Sequence, residues 1–233
     1  MKVLITLLIS GLWSLTVCLS QNIEGAWQAH EGSKQQVLLL VDGYLSYTEF
    51  DQDNKHFGLT FGGPYTFSDN SIALHYEFNS QDGSLVGKQI SFGTELKDEL
   101  QTNIDGKAIS WQKIDDKNNP IAGVWWISER KEGEQMVQRQ LRDRRTLKIL
   151  SGSRFQWVAI NIKTGEFSGT GGGTFHFGEG KYIENIEFFS RDGSRVGSSL
   201  EFNGELKDDK WHHSGLSSSG SPIYEVWSRL PSK

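Results

Sequence analysis

The stretch EFNSQDGSLVGKQISFGTELKDE, residues 77–99, decides the fold because the chain contains it twice. The second copy is EFFSRDGSRVGSSLEFNGELKDD, residues 187–209, and it aligns with the first at an offset of 110 positions without a gap. Three further pairs of segments flank the copies in the same order: IEGAW (23–27) with IAGVW (121–125), GGPYTF (62–67) with GGGTFHF (171–177), and WQKI (111–114) with WSRL (227–230). An ordered set of matches indicates that one domain occurs twice.

Alternation of apolar and polar residues runs through both halves, which predicts β-strands with one buried and one solvated face. In RFQWVAI (154–160), for example, Phe155 and Trp157 alternate with Arg154 and Gln156. Two corresponding strands are predicted to have one inward face each, formed by Ile72, Leu74, Tyr76 and Phe78 in the first half and by Tyr182, Glu184, Ile186 and Phe188 in the second.

Asp-Gly pairs punctuate the strands at 42–43, 82–83, 105–106 and 192–193. We expect these pairs to be hairpin tips, with glycine supplying the positive φ that a tight turn needs. Val86 and Val196 would then begin the returning strands, and Gly87 and Gly197 would mark a bulge or bend. About eight short strands in each half would close a small barrel and leave no exposed edge. The predicted fold class is all-β, with two tandem antiparallel up-and-down β-barrels.

The predicted domain division follows from the repeats. A polar, proline-ended segment at 117–120 is expected to link a first barrel at 21–116 to a second at 121–233. One segment at 129–145, ERKEGEQMVQRQLRDRR, has only a shorter equivalent in the first half and is expected to be a long hairpin or a short surface helix. Its basic residues 142–145 are interpreted as a solvated flank, with an acidic partner as the alternative.

The first 20 residues are predicted to be a secretory signal peptide. Lys2 precedes an apolar run at 3–17, and small residues Cys18 and Ser20 precede Gln21 at the expected cleavage site. The protein is therefore expected to be exported, either periplasmic or secreted. Lipoprotein anchoring through Cys18 is the less favoured alternative, because the residue before it is Val17 rather than a small one.

Composition excludes several classes of function. The single cysteine lies within the predicted signal peptide, so the mature chain is expected to have no disulfide and no thiol chemistry. The net charge of −5 argues against a general affinity for nucleic acid or anionic membranes. No segment after the leader approaches the ~20 apolar residues of a membrane-spanning helix.

Both halves resemble the calycin superfamily, the lipocalins and their relatives. The resemblance lies in a Gly-x-Trp motif on the first strand and a basic residue on the last: Gly25, Trp27 and Lys113 in one half, and Gly123, Trp125 and Arg229 in the other. It implies that each tryptophan closes one end of a barrel with the cation packed across its ring. The second half also resembles a lipocalin-like domain family of unknown function found in secreted bacterial proteins, through GTGGGTF, KYIENIEF, VGSSLEF, KWHHSG and YEVWSRL.

The candidate ligand-binding residues lie in the second half. Glu184 shares the predicted inward face with Tyr182, and a carboxylate in an apolar cavity must be paired or neutralised. Arg229 is expected to pair with Glu184 or Glu225, or to meet the acidic headgroup of a ligand. The alternative is a purely structural ion pair of Glu225 and Arg229 beside Trp227 that closes the barrel. The full candidate set is Trp157, Tyr182, Glu184, Glu225, Trp227 and Arg229.

Metal and covalent chemistry find no support. The motif Asp51-x-Asp53-Asn54 lacks the remaining ligands of a calcium loop, so a plain turn is expected. His212 and His213 are adjacent, and adjacent strand residues point to opposite faces. The other histidines are scattered, so no metal and no cofactor are predicted, and no nucleophile motif occurs on a suitable scaffold.

The sequence thus favours an exported, non-catalytic binding protein for a small apolar or amphipathic ligand, held mainly in the second barrel. Two alternatives remain. One is an interaction module with filled barrels that binds an envelope protein or a glycan through surface loops. The other, least favoured, is an isomerase that uses Glu184 as acid or base. The oligomeric state is left open.

Overall fold

The computed structural model describes residues 22–217 and 220–231. The first half forms nine antiparallel strands, with a 3₁₀ turn at Gly83–Leu85 between the sixth and seventh. They are β1 (Gly25–Glu31), β2 (Lys34–Val41), β3 (Tyr44–Asp51), β4 (His56–Ser68), β5 (Ser71–His75), β6 (Phe78–Asn79), β7 (Gln89–Leu96), β8 (Leu100–Ile104) and β9 (Lys107–Asp115).

The second half repeats this order, with a 3₁₀ turn at Gly193–Arg195 and an added hairpin strand, β11. Its strands are β10 (Gly123–Glu132), β11 (Gln135–Gln138), β12 (Arg144–Leu150), β13 (Arg154–Asn161), β14 (Glu166–Gly178), β15 (Lys181–Phe189), β16 (Ser199–Lys207), β17 (Lys210–Leu216) and β18 (Pro222–Arg229).

Each half closes on itself. In the first, the order β3-β2-β1-β9-β8-β7-β5-β4 is sealed by pairing of β3 with β4, while β6 pairs at the side of β4. In the second, β10-β12-β13-β14-β15-β16-β17-β18 is sealed by pairing of β10 with β18. The predicted fold class is therefore confirmed as two tandem, closed, eight-stranded antiparallel barrels.

Two of the predicted Asp-Gly turns are hairpin tips. Asp42 and Gly43 have φ of 49° and 71°, and Asp105 and Gly106 have φ of 50° and 77°. Positive φ at both central residues is the geometry of the two-residue turn that matches the strand twist. These tips join β2 to β3 and β8 to β9.

The prediction for the other two Asp-Gly pairs was wrong. Asp82 and Asp192 instead cap 3₁₀ turns by accepting hydrogen bonds from the backbone N–H groups of Ser84 and Ser194. Positive φ falls at Gly87 (86°) rather than at the Asp-Gly pair, and at its equivalent Gly197 (91°). The returning strands begin at Gln89 and Ser199, later than the predicted Val86 and Val196.

The glycines of these turns are needed at the contact between barrels. A Cβ on Gly83 would lie 2.5 Å from the carbonyl oxygen of Gly165, and one on Gly193 would lie 2.5 Å from that of Lys55. The partners Lys55 and Gly165 are themselves equivalent positions, related by the offset of 110. The contact is therefore reciprocal, because the Asp-Gly turn of each barrel packs against the other barrel. The repeated motif thus serves the packing of one barrel on the other.

A shared apolar cluster lies between the barrels. Phe50 and Phe188 pack with ring centroids 4.8 Å apart, and Phe57 stacks on Phe167 at 6.5 Å. The whole cluster draws buried residues from both halves, namely Ala26, Val37, Leu39, Val41, Tyr44, Phe50, Phe78, Val124, Leu147, Ile149, Val158, Ile160 and Phe188.

A buried amide crosses the same interface. The side-chain oxygen of Gln156 accepts hydrogen bonds from Ser46 at 2.5 Å and Thr48 at 2.9 Å. Its nitrogen donates to Thr60 at 2.9 Å and to Thr170 at 3.0 Å. Buried polar groups must be paired, so this network fixes the position of one barrel relative to the other.

The predicted inward faces hold for three of their four members in each half. Phe78 and Phe188 instead belong to the cluster between the barrels. In the second half, the ladder of β14 and β15 shifts register between Gly172 and Gly173, so that one residue of β15 is unpaired. In the first half, β5 ends at His75 and pairing resumes at Phe78. Such a bulge reverses the side-chain alternation beyond it.

The charged segment is a hairpin followed by irregular chain, since β10 continues into β11 and the chain then reaches β12 without regular structure. The predicted signal peptide and Cys18 lie outside the described residues. Within the described ranges, none of the helices has the length and apolar character needed to cross a membrane.

Candidate functional site

The strand pairings align the interiors of the two barrels residue by residue. Trp27 faces Leu38 in the first barrel, and its equivalent Trp125 faces Lys148 in the second. Likewise Leu74 lies opposite Tyr65, and Glu184 lies opposite Phe175. Two leucines of the first interior are therefore replaced by a lysine and a glutamate in the second.

Two more positions differ in the same way. In the first barrel Thr102 pairs with Ile109, and the equivalent pair in the second is His213 with Glu225. All four of the residues in the second barrel are at least nine-tenths buried. The second interior therefore contains four ionisable groups at positions where the first has three aliphatic residues and a threonine.

Lys148 and Glu184 form a buried ion pair, with Nζ 2.6 Å from Oε1. Aromatic rings surround the ammonium group, and the distance from Nζ to the ring centroid is 4.8 Å for Tyr182, 5.1 Å for Trp211 and 5.4 Å for Trp227. A cation held against ring faces in a dry site gains ~2 kcal/mol or more, which offsets part of its desolvation. Burial and the neighbouring Glu184 raise the pKa of the Tyr182 hydroxyl well above its usual value.

His213 is buried in the same layer of the barrel interior as Lys148 and Glu184. Burial lowers the pKa of its imidazole well below the usual value, and the positive charge of Lys148 lowers it further. The ring is therefore neutral at pH 7. Glu225 lies 3.8 Å from Nδ1, beyond hydrogen-bond distance, and instead accepts a hydrogen bond from Arg130 at 2.5 Å.

Several buried nitrogens of this layer have no hydrogen-bond partner among the described residues: both ring nitrogens of His213 and the Nε1 atoms of Trp211 and Trp227. The first barrel is different, because Trp111, the equivalent of Trp227, donates from Nε1 to Thr102 at 2.9 Å. Unpaired buried polar atoms are costly, and two of these residues, His213 and Trp227, line one cavity, which indicates a site that accepts a hydrogen-bonding group.

A cavity of about 1030 Å³ opens above this layer. The strands bring polar and apolar side chains to it from every side of the second barrel. Its inner lining includes Ile127, Lys148, Trp157, Glu184, Ile186, Phe189, Leu200, Phe202, His213, Glu225 and Trp227.

The structure brings four of the six predicted ligand-binding residues to the cavity: Trp157, Glu184, Glu225 and Trp227. Tyr182 is fully buried beside Lys148, outside the lining. Arg229 does not reach the site, and the predicted pairing of Arg229 with Glu184 or Glu225 was wrong. Its guanidinium instead donates to the carbonyl of Ala122 at 2.8 Å, because the end of β18 lies at the base of the barrel.

The residues predicted to close the barrels lie at the bases. Lys113 Nζ is 5.0 Å from the ring centroid of Trp27, and Arg229 Cζ is 4.4 Å from that of Trp125. Each indole also donates to a backbone carbonyl four residues earlier, at 2.9 Å in the first barrel and 2.8 Å in the second. The two bases therefore use the same cation-over-tryptophan arrangement.

No group of three or more His, Cys, Asp or Glu residues within 22–217 and 220–231 is arranged to hold a metal ion. Asp51 forms a turn, accepting hydrogen bonds from Ser33 at 2.6 Å and from Asn54 at 3.0 and 2.9 Å. These bonds lower the pKa of its carboxyl to about 2. His212 points outward to the Tyr224 hydroxyl, 2.9 Å away, opposite in direction to His213.

Sequence reasoning missed Lys148 and His213. The offset of 110 that exposed Glu184 against Leu74 also sets Lys148 against Leu38, so this signal was present. His213 was harder to find, because four residues separate the paired Leu206 and Trp211, whereas three separate their equivalents Leu96 and Leu100. The constant offset therefore fails there, and only the strand pairing identifies Thr102 as its equivalent.

No protein-family model matches this chain, and no curated protein matches it either.

Proposed function

We propose that the protein binds a small amphipathic molecule inside its second barrel, without transforming it. The observation that carries the proposal is the replacement of Leu38, Leu74, Thr102 and Ile109 by ionisable residues around a cavity of about 1030 Å³. The first barrel has the same fold with three aliphatic residues and a threonine at these positions, so folding does not require the ionisable replacements. A role in ligand binding explains why the second barrel has these ionisable residues.

The cavity has the composition of a small-molecule site, since apolar walls with a few convergent polar groups are typical of one. Trp157, Ile186, Phe189 and Leu200 offer apolar surface. His213, being neutral, offers one donor and one acceptor, and Trp227 offers a donor. A hydrogen-bonding atom of the ligand placed in this layer would pair the nitrogens that lack protein partners.

The proposed setting is outside the cytoplasm, after removal of residues 1–20. The support is the order of Lys2, the apolar run 3–17 and the small residues before Gln21. Intact-mass measurement of the protein recovered from its native host tests this part separately, with a chain beginning at Gln21 as the expected result.

Native mass spectrometry and tryptophan fluorescence test the binding function. Purified protein is expected to retain a co-purified amphiphile, or to bind added decanoate at one molecule per chain with quenching of Trp157. Trp157→Phe should reduce the quenching, whereas Trp111→Phe, which removes one buried indole from the first barrel and none from the cavity lining, should leave the quenching unchanged. A protein that binds no amphiphile in either measurement would overturn the proposal.

A further inference from the structure

Arginines surround the mouth of the cavity in the second barrel. Arg142 and Arg144 are exposed, Arg145 is partly buried, and Arg191 comes from the segment after β15. We refer to these four residues as the arginine collar. They line the same cavity as Glu184 and His213, at its outer end.

The charges lining the cavity do not balance. Its three carboxylates each pair with a lining cation: Glu132 with Arg139, Glu184 with Lys148 and Glu225 with Arg130. No ion pair joins any residue of the arginine collar to a carboxylate of the described residues. Four positive charges are thus concentrated at one opening of a protein whose net charge is −5.

One member of the collar also lacks a polar contact. The Nε atom of Arg145 is buried and has no hydrogen-bond partner within the described residues. A guanidinium nitrogen withdrawn from water without an acceptor costs free energy. Guanidinium groups match carboxylate and phosphate oxygens in geometry and charge.

Apolar side chains lie directly inside the collar. Ile186 and Phe189 line the cavity on β15 between Glu184 and the following Arg191, and Leu200 lines it opposite Glu184. On β12 the chain passes from Arg144 and Arg145 at the mouth to Lys148 in the interior. A ligand entering here would meet positive charge first and apolar surface next.

Resting on the proposed function, we propose that the ligand is an anionic amphiphile, with its carboxylate or phosphate group bound by the arginine collar and its apolar part directed into the barrel. The collar then selects the charge of the ligand, and the interior selects its apolar body. Arg142 lies on the segment between β11 and β12, which follows a hairpin strand that the first barrel lacks, and Arg144 and Arg145 begin β12.

Isothermal titration with four ten-carbon probes tests the proposal: decanoate, decyl phosphate, decanol and decyltrimethylammonium. The anions are expected to bind at least about tenfold more tightly than decanol, the value of one charge-assisted hydrogen bond. In Arg142→Gln/Arg144→Gln this preference should disappear while decanol binding is unchanged. Both residues are exposed, so the variant is expected to fold.

The matched control is Lys88→Gln/Lys107→Gln, which removes two exposed charges from the first barrel and should retain the preference for anions. Equal binding of all four probes would overturn the anionic class while leaving the proposed function intact. Binding of none would overturn both. Inorganic phosphate binding as tightly as decyl phosphate would overturn the amphiphile, since the apolar part would then contribute nothing.

Discussion

Lys148 and Glu184 form an ion pair of 2.6 Å inside the second barrel, with side chains only 8% and 5% exposed. Their equivalents in the first barrel are Leu38 and Leu74, which are fully buried. Desolvating two charges costs several kcal/mol for each ion, so a pair of this kind adds little net stability compared with leucines. Its presence in one barrel alone is better explained by a role in binding than by a role in folding.

Replacing the pair by leucines is the first test of this explanation. Glu184→Leu or Lys148→Leu alone should destabilise the protein by ~3 kcal/mol, because each leaves an uncompensated buried charge. The double variant Lys148→Leu/Glu184→Leu should be at least as stable as the wild type and should lose ligand affinity. Urea denaturation and titration with decanoate measure the two properties. A double variant less stable than both single variants would contradict the account.

Acid sensitivity should depend on His213. Its folded-state pKa is lowered by burial and by Lys148, so protonation favours the unfolded chain. Stability from this source is complete above the unfolded pKa of ~6.5 and falls below it by up to ~1.4 kcal/mol per pH unit. His213→Gln should flatten the dependence between pH 6.5 and 5, measured by urea midpoints.

The adjacent His212→Gln, which alters a partly buried imidazole on the outer face in contact with the Tyr224 hydroxyl, should keep the wild-type slope. Glu225 also faces His213, at 3.8 Å, so the comparison is made between variants rather than from the wild type alone. An NMR titration in which the His213 ring protonates near pH 6.5 would contradict the neutral, desolvated imidazole described above.

The turn glycines should be sensitive to a single added methyl group. Gly83→Ala and Gly193→Ala would each place a Cβ 2.5 Å from a carbonyl oxygen of the other barrel, which should cost ~1–3 kcal/mol as overpacking does elsewhere. Gly93→Ala, where nothing lies within 4 Å, is the control from the same repeat. Thermal unfolding measures all three, and an unchanged midpoint for Gly83→Ala would show that the barrels do not meet there.

Asp115 should couple the barrels in a pH-dependent way. Burial raises the pKa of its carboxyl, but hydrogen bonds from Ser153, Gly152, Lys117 and Ser151 outweigh that effect, and the net pKa lies below the usual value. Its contribution is therefore present above the unfolded pKa of ~3.9 and is lost as the pH falls through the lower folded value. Asp115→Asn should cost ~2 kcal/mol at pH 7.

Asp116→Asn is the control, since Asp116 is exposed and, among residues 22–217 and 220–231, forms an ion pair only with Lys113. Urea midpoints at pH 7 and pH 3 should show a larger loss for Asp115→Asn at the higher pH. A loss of equal size at both values would indicate that the carboxylate charge does not matter.

The sequence predicts the barrels well because alternation is a local signal and the internal repeat can be read directly by comparing the two halves. It cannot predict how one barrel packs on the other. The hairpin prediction is therefore wrong for two of the four Asp-Gly turns, in which Gly83 and Gly193 lie against backbone of the other half. The prediction that Phe188 faces inward was wrong for a similar reason, because the alternation of residues does not reveal a bulge.

The candidate site was also predicted only in part. Glu184 stands out because its counterpart in the constant offset is Leu74. Glu225 and Trp227 follow from strand alternation. The sequence favours a solvated flank for Arg142 and Arg144, because only the path of the chain after β11 brings these residues to the cavity mouth.

A crystal structure with 10-bromodecanoate tests the central claim most directly, because anomalous scattering locates the bromine without reference to the protein. The account predicts one bromine site per chain, inside the second barrel near Ile186 and Leu200, with the carboxylate at the arginine collar. Bromine in the first barrel, or only on the outer surface, would contradict it.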